Sequence, residues 1–191
     1  MIIVPDDQSF ITYPYVAPPA PAEKITFGPV FKMDFLTRVL ELQSKVVALR
    51  ASDTNRTISL SDICLKPLEP DNNNCTVFSV LQYYQNSLNN LQKKITDDFD
   101  QVLADFTTHF LTCSQAPTTT NDSLGLTCFG DYGGTINPFM VLGNYSNTTY
   151  SNATALVITI VIENSNDPEK VRIGLLNLLK SSPSDVCLFF F

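Results

Sequence analysis

Met33-Asp34-Phe35-Leu36-Thr37-Arg38-Val39-Leu40-Glu41-Leu42-Gln43-Ser44-Lys45-Val46-Val47-Ala48-Leu49 is the stretch that decides the fold. Phe35, Leu36, Val39, Leu42, Val46 and Leu49 recur at steps of three and four, while Lys32, Arg38, Glu41, Lys45 and Arg50 fill the rest of the circumference. That spacing predicts an amphipathic helix over Met33 to Ala51 with one stripe turned to a core. Ser52-Asp53-Thr54-Asn55 ends it. Downstream, Val77, Val80, Leu81, Tyr84, Leu88 and Leu91 repeat the pattern and predict a second helix over Thr76 to Leu91, packed against the first. Thr96 can act as an N-cap, with Asp97 and Asp98 where a helix dipole favours negative charge, and Phe99, Val102, Leu103, Phe106 and Phe110 keep helical spacing towards Cys113.

Strand signals flank these helices. Ile2 to Tyr15 is rich in β-branched and aromatic residues, and Leu156 to Ile162 is a Val/Ile run that predicts a buried strand. Phe139 to Leu142 predicts a short strand after the turn set by Gly130, Gly133, Gly134 and Pro138, and Val171 to Leu179 a last helix. Between Pro14 and Pro29, five prolines predict an extended exposed loop, because proline fixes φ and lacks an N–H. The fold class expected is α+β, a helical core on a small mixed or antiparallel sheet.

Composition narrows the function. Of 191 residues, 44% are apolar and 16% charged, which suits a packed domain and excludes disorder, collagen and coiled coil. The net charge of -7 offers no basic field for nucleic acid. The longest apolar run, Ala155 to Ile162, is far too short to span a bilayer. Met1-Ile2-Ile3-Val4 has neither the basic nor the long apolar region of a secretory leader.

Two other signals nevertheless point to an oxidising lumen. Asn-x-Ser/Thr triplets begin at Asn55, Asn74, Asn121, Asn144, Asn147 and Asn152, roughly twice what chance gives at this composition. Cysteines 64, 75, 113 and 128 form two close pairs without zinc-type CxxC spacing, leaving Cys187 over. Local bridges Cys64–Cys75 and Cys113–Cys128 are the favoured reading, with other pairings open. The chain reads as a stretch of a longer secretory-pathway protein.

Chemistry finds little support. His109 is the single imidazole, its i+4 neighbour Cys113 is better used in a bridge, and no nucleophile elbow, zinc-protease or phosphate-loop motif occurs. Asp97, Asp98, Asp100 and Asp105 read as an exposed acidic face. No enzyme, metal or cofactor is expected. Aromatics on polar, proline-stiffened loops, Tyr13 and Tyr15 around Pro14 and Phe99 among acids, suit a partner-binding surface.

A resemblance sharpens this. Val39-Leu40-Glu41-Leu42-Gln43, Asp62-Ile63-Cys64-Leu65-Lys66-Pro67-Leu68, Asn74-Cys75-Thr76, Ser79-Val80-Leu81-Gln82-Tyr83-Tyr84-Gln85-Asn86-Ser87, His109-Phe110-Leu111 before Cys113, and Asn152-Ala153-Thr154-Ala155-Leu156-Val157-Ile158-Thr159 stand in the order and spacing of one domain. They resemble the middle lumenal domain of the Niemann-Pick type C sterol-transporter family, related to Patched and the resistance-nodulation-division transporters. The resemblance runs over 1–166, with 167–191 a divergent or truncated segment.

It implies a lumen-facing, porter-like part of a lysosomal or late-endosomal membrane protein, with locally paired cysteines. It also implies two protruding loops that dock a soluble lumenal sterol-carrier protein, and in some members a filovirus glycoprotein. Here those loops correspond to Thr12–Lys24 and Thr96–Asp105, with Tyr13, Pro14, Tyr15 and Phe99 as the contact residues. Asp100-Gln101-Val102-Leu103 departs from the family's aromatic second loop. The intestinal sterol-uptake paralogue and a generic extracellular adhesion domain are the alternatives.

Overall fold

The computed structural model describes residues 1–15, 23–53, 56–147 and 149–163. Strand β1 (Ile2–Ile3) opens the chain, and β2 (Ile11–Tyr15) pairs antiparallel with β3 (Glu23–Phe27), from Ile11 opposite Phe27 to Tyr15 opposite Glu23. The proline-rich stretch expected as loop is therefore a hairpin on both flanks. A two-stranded ribbon has an open edge, so Pro14 can sit in β2 without breaking a central ladder. After β3 a buried turn of 3-10 helix, Pro29–Phe31, leads into α1 (Met33–Val47).

Helix α1 forms as its stripe requires, with Phe35, Leu36, Val39 and Leu40 buried. It stops short of the expected end because Arg50–Asp53 (β4) turns back to pair with Arg56–Ser59 (β5). The helix expected over Thr76 to Leu91 does not exist as one element. The chain instead forms β6 (Val77–Phe78), a 3-10 segment at Val80–Tyr84 and a single turn of α2 (Leu88–Leu91). Val77, Ser79, Val80, Leu81, Gln82, Tyr83 and Tyr84 are all buried, so this stretch has no solvent face for a helix to present. Gln85 and Asn86 then take left-handed φ of 50° and 53° and break the path.

The continuous helix expected beyond Thr96 is also replaced. Ile95–Thr96 (β7) and Val102–Ala104 (β8) form a hairpin, and α3 (Phe106–Gln115) starts only after Asp105. Asp105, not Thr96, caps that helix: its carboxylate accepts from the backbone N–H of Thr107 and Thr108. Phe139 to Leu142, expected as strand, is mostly the short helix α4 (Pro138–Val141), with Pro138 at the first position where its missing N–H costs nothing. Leu142–Gly143 (β9), Ala155–Val157 (β10) and Thr159–Ile160 (β11) complete the described chain.

The α+β class expected is the class found. Strand β10 is the middle of a three-stranded antiparallel sheet, with β1 on one side and β9 on the other, and β11 pairs with β6. The main core gathers Phe27, Phe31, Leu36, Tyr83, Tyr84, Phe110, Ile136 and Leu156 between α1, α3 and this sheet. A smaller cluster, Ile58, Leu60, Ile63 and Cys64, sits under the far end of α1. Both expected bridges are present, Cys64–Cys75 and Cys113–Cys128, across separations of 11 and 15 residues. In the chain-entropy account each contributes about 3 kcal/mol. The last helix expected, Val171–Leu179, the segment 167–191 and Cys187 lie outside the described residues. Among the described residues no helix is long and apolar enough to cross a membrane.

Candidate docking hairpins

The β7–β8 hairpin carries the most exposed aromatic of the described chain. Phe99 is 83% accessible at its tip. The tip is held by Asp97, whose Oδ1 accepts from the backbone N–H of both Phe99 and Gln101 at 2.9 Å, while Asp97 N–H donates to the Gln101 carbonyl. A short carboxylate that satisfies two turn amides fixes the backbone without help from packing. Asp100, in left-handed φ of 58°, completes the reversal. Phe99 is thus presented by a pre-set turn, which lowers the entropy lost on contact.

Tyr13 lies differently. In β2 it is half-buried, its ring edge-on to Phe27 at 5.6 Å and to Phe106 at 5.5 Å, and its hydroxyl donates to the Phe31 carbonyl at 3.3 Å. Desolvation, with the charges of Asp105 and Asp34 behind it, pushes its hydroxyl pKa above the usual 10.0. Pro14 and Tyr15 are paired through their backbone with Lys24 and Glu23, and residues 16–22 lie outside the described residues. Tyr13 therefore belongs to the foot of the first hairpin rather than to its end. Because Phe106 begins α3 directly after β8, the Tyr13–Phe106 contact joins the feet of the two hairpins. Phe27, Phe31 and Phe110 extend that joint into the core, Phe31 and Phe110 with centroids 4.5 Å apart.

Behind the second hairpin stands a buried polar brace. His109, fully buried, places Nδ1 2.7 Å from Asp122 Oδ2 and donates from Nε2 to the Tyr83 carbonyl at 2.7 Å. The other oxygen of Asp122 accepts from the N–H of Leu124 and Leu126, at 2.9 and 3.0 Å. Leu124 and Leu126 close over Ala104, the last residue of β8. The brace so fixes the loop on which the hairpin rests.

His109, Cys113 and Cys128 bring ligand-type atoms within 4.8 Å of one another, but the two sulfurs are bonded together and leave no thiolate for a metal. Tyr84, buried beside His109 with centroids 5.2 Å apart, donates to the Phe106 carbonyl. The hydrogen bonds of His109, Asp122 and Tyr84 run to one another's loops and to main-chain carbonyls and amides, so they serve the scaffold. The acidic residues expected as one helix face are divided among the turn (Asp97), the cap (Asp105) and exposed loop (Asp98, Asp100).

The sequon asparagines fall into three environments. Asn121, Asn144 and Asn147 are exposed and Asn152 is half-buried. Asn74 is exposed, yet its Nδ2 donates to the Asp131 carbonyl and its sequon threonine, Thr76, is buried. Asn55 lies outside the described residues.

A sequence model of the NPC1 middle luminal domain matches residues 1–175. The chain belongs to that family. Within it, the chain is 46% identical over 170 residues to the pig NPC intracellular cholesterol transporter 1, which covers 87% of this chain and 13% of that protein. It is 40% identical over 160 residues to the rat NPC1-like intracellular cholesterol transporter 1 and 37% identical over 162 residues to the human one, each covering 78% of this chain and 12% of the relative. The chain thus spans about an eighth of the relatives it matches. These relatives are transporters by name.

Sequence reasoning missed three residues that build the hairpins. Phe106 was read as one more apolar position of a long helix. Asp97 carried a usable signal, since an aspartate two residues before an amide-rich turn is an Asx motif. Asp122 carried none, because its partner His109 is thirteen residues away and the contact is made by folding alone.

Proposed function

We propose that this domain is the lumen-facing docking module of a cholesterol transporter of late endosomes and lysosomes, receiving a soluble sterol-carrier protein on the tips of its two hairpins. The observation that carries the reading is the pair of hairpins rooted on one aromatic joint, with Phe99 exposed on a turn fixed by Asp97. A shared root keeps two contact points at a constant spacing, as a two-point grip on one partner requires. Tyr13 anchors the base of the first hairpin, and Pro14 and Tyr15 follow it along β2 as the further contact residues of this reading. Residues 1–166 form the docking module in this reading, and the sequon asparagines are acceptors for N-linked glycans.

Asp100 stands where the family's second loop has a further aromatic, so this chain grips chiefly through the first tip and Phe99 alone. The test is a titration of the chain with the soluble carrier at lumenal acidity, for the wild type and Phe99→Ala. A loss of about 1–3 kcal/mol of binding is expected. Equal affinity for the two would remove the second hairpin from the interface.

A further inference from the structure

Residues 145–154 read Tyr-Ser-Asn-Thr-Thr-Tyr-Ser-Asn-Ala-Thr, the pentad Tyr-Ser-Asn-x-Thr twice in succession. Each pentad places a tyrosine two residues before the sequon asparagine. The structure brings those tyrosines together: the rings of Tyr145 and Tyr150 lie 4.9 Å apart at 61°, half-buried against the main core. Between them Thr149 N–H donates to the Ser146 carbonyl at 3.0 Å, and Asn147 is exposed at φ 51°.

The loop is closed at its neck, where Thr154 N–H donates to the Gly143 carbonyl and Asn144 Nδ2 to Thr154 Oγ1 at 2.6 Å. Its floor is held by Gly28 N–H donating to the Ser151 carbonyl at 2.7 Å. Of the three sequons on this loop, that of Asn144 has its amide committed and that of Asn152 has its threonine hydroxyl committed to the same contact. Asn147 is the exposed one with an aromatic platform two residues before it.

Resting on the reading of these sequons as glycan acceptors, we propose that Tyr145, backed by Tyr150, is a sugar platform. The first N-acetylhexosamine attached at Asn147 lies with its C–H face on the tyrosine ring and stiffens the 144–154 loop. Attachment uses a lipid-diphosphate-linked oligosaccharide. Asn147 Nδ2 bonds to C1 of the first sugar, the C1–O bond to the diphosphate breaks, the lipid diphosphate leaves with that electron pair, and a base of the transferase takes the amide proton. The stacking follows from the ring's negative face meeting sugar C–H groups of slight positive charge. The tyrosine backing matters because a ring already held by core and neighbour loses no further freedom when the sugar settles on it.

The chain is expressed in a secreting eukaryotic host and glycopeptides are read by mass spectrometry. Urea midpoints are compared for the wild type, the wild type trimmed to one sugar per site, and Asn147→Gln, each also in Tyr145→Leu and Tyr145→Phe backgrounds. The expected result is an occupied Asn147 and a higher midpoint for the wild type, intact or trimmed, than for Asn147→Gln. That difference should persist in Tyr145→Phe, which keeps a ring, and vanish in Tyr145→Leu. An unoccupied Asn147 overturns the glycan reading itself. An occupied Asn147 whose loss leaves the midpoint unchanged, or whose effect survives in Tyr145→Leu, overturns the platform alone. If Tyr145→Leu is not secreted, Tyr145→Ala takes its place, and an unchanged midpoint for Asn147→Gln in the wild-type background still overturns the platform.

Discussion

Tyr13→Ala and Phe99→Ala, two aromatic truncations on neighbouring hairpins, should separate folding from docking. Burying a full aromatic side chain is worth about 3–5 kcal/mol in truncation experiments. Tyr13 is half-buried, which brings that to about 2 kcal/mol, and the edge-on contacts with Phe27 and Phe106 add a fraction of the roughly 0.5–1.5 kcal/mol each such pair is worth. The expected loss is about 2–3 kcal/mol, or a fall of about 4–12 °C in Tm for a domain of this size. Tyr13→Phe, which keeps the ring and gives up only a 3.3 Å hydroxyl contact, should lose about 1 kcal/mol or less.

Phe99 touches so little that its truncation should leave stability within about 0.5 kcal/mol. Urea unfolding with both disulfides intact, followed by far-UV circular dichroism, measures all three variants. If Tyr13→Ala unfolds with the wild type, or if Phe99→Ala falls as far as Tyr13→Ala, the division into foot and tip is wrong.

Asp122→Ala strands a buried imidazole and two backbone N–H groups, and should cost about 3–5 kcal/mol; a wild-type unfolding curve would deny the brace. At Gly28 an added Cβ would stand 1.9 Å from the Ala153 carbonyl oxygen, so Gly28→Ala should fail to be secreted or melt well below the wild type, and an unchanged Tm would contradict that close approach. Burial holds the Tyr83 and Tyr84 hydroxyls well above their usual 10.0. The folded chain thus keeps protons that the unfolded chain gives up, and stability present below pH 10 is lost progressively as pH rises further. Ultraviolet titration should show these two tyrosinates only as the fold opens, and early reversible ionisation of every tyrosine would refute their burial.

The elements legible in the sequence are those with one face in and one face out. Helix α1 shows its stripe because the opposite side carries Arg38, Glu41 and Lys45, and the close spacing of the cysteine pairs favours the local bridges that form. Val77 to Tyr84 misleads because periodicity needs a solvent face, and a segment in which every residue but the half-buried Phe78 is buried fits any period. Phe99, Val102 and Leu103 mimic helical spacing while standing on a turn and a strand, where Asp97 overrides the pattern by satisfying two amides.

The candidate site was legible as a place but not in its parts. Phe99 stands exposed on the β7–β8 turn. Tyr13, three residues from Phe10 and two from Tyr15, gives no sign in the sequence of facing inward, since the alternation of β2 shows only once β3 is laid beside it. The strand β3 itself was hidden by the prolines that surround it.

The central sheet also carries a cost in time. Its β1 strand is made about 150 residues before its partner β10: Ile2 lies opposite Val157, and Met1 exchanges hydrogen bonds with Ile158, 157 residues away. A chain emerging from a ribosome can close both bridges and raise both hairpins long before that ladder can zip. Until it does, β1 waits with its apolar face and unpaired amides uncovered, open to any other strand it meets. The slow, aggregation-exposed step of this domain is therefore the pairing of β1 with β10.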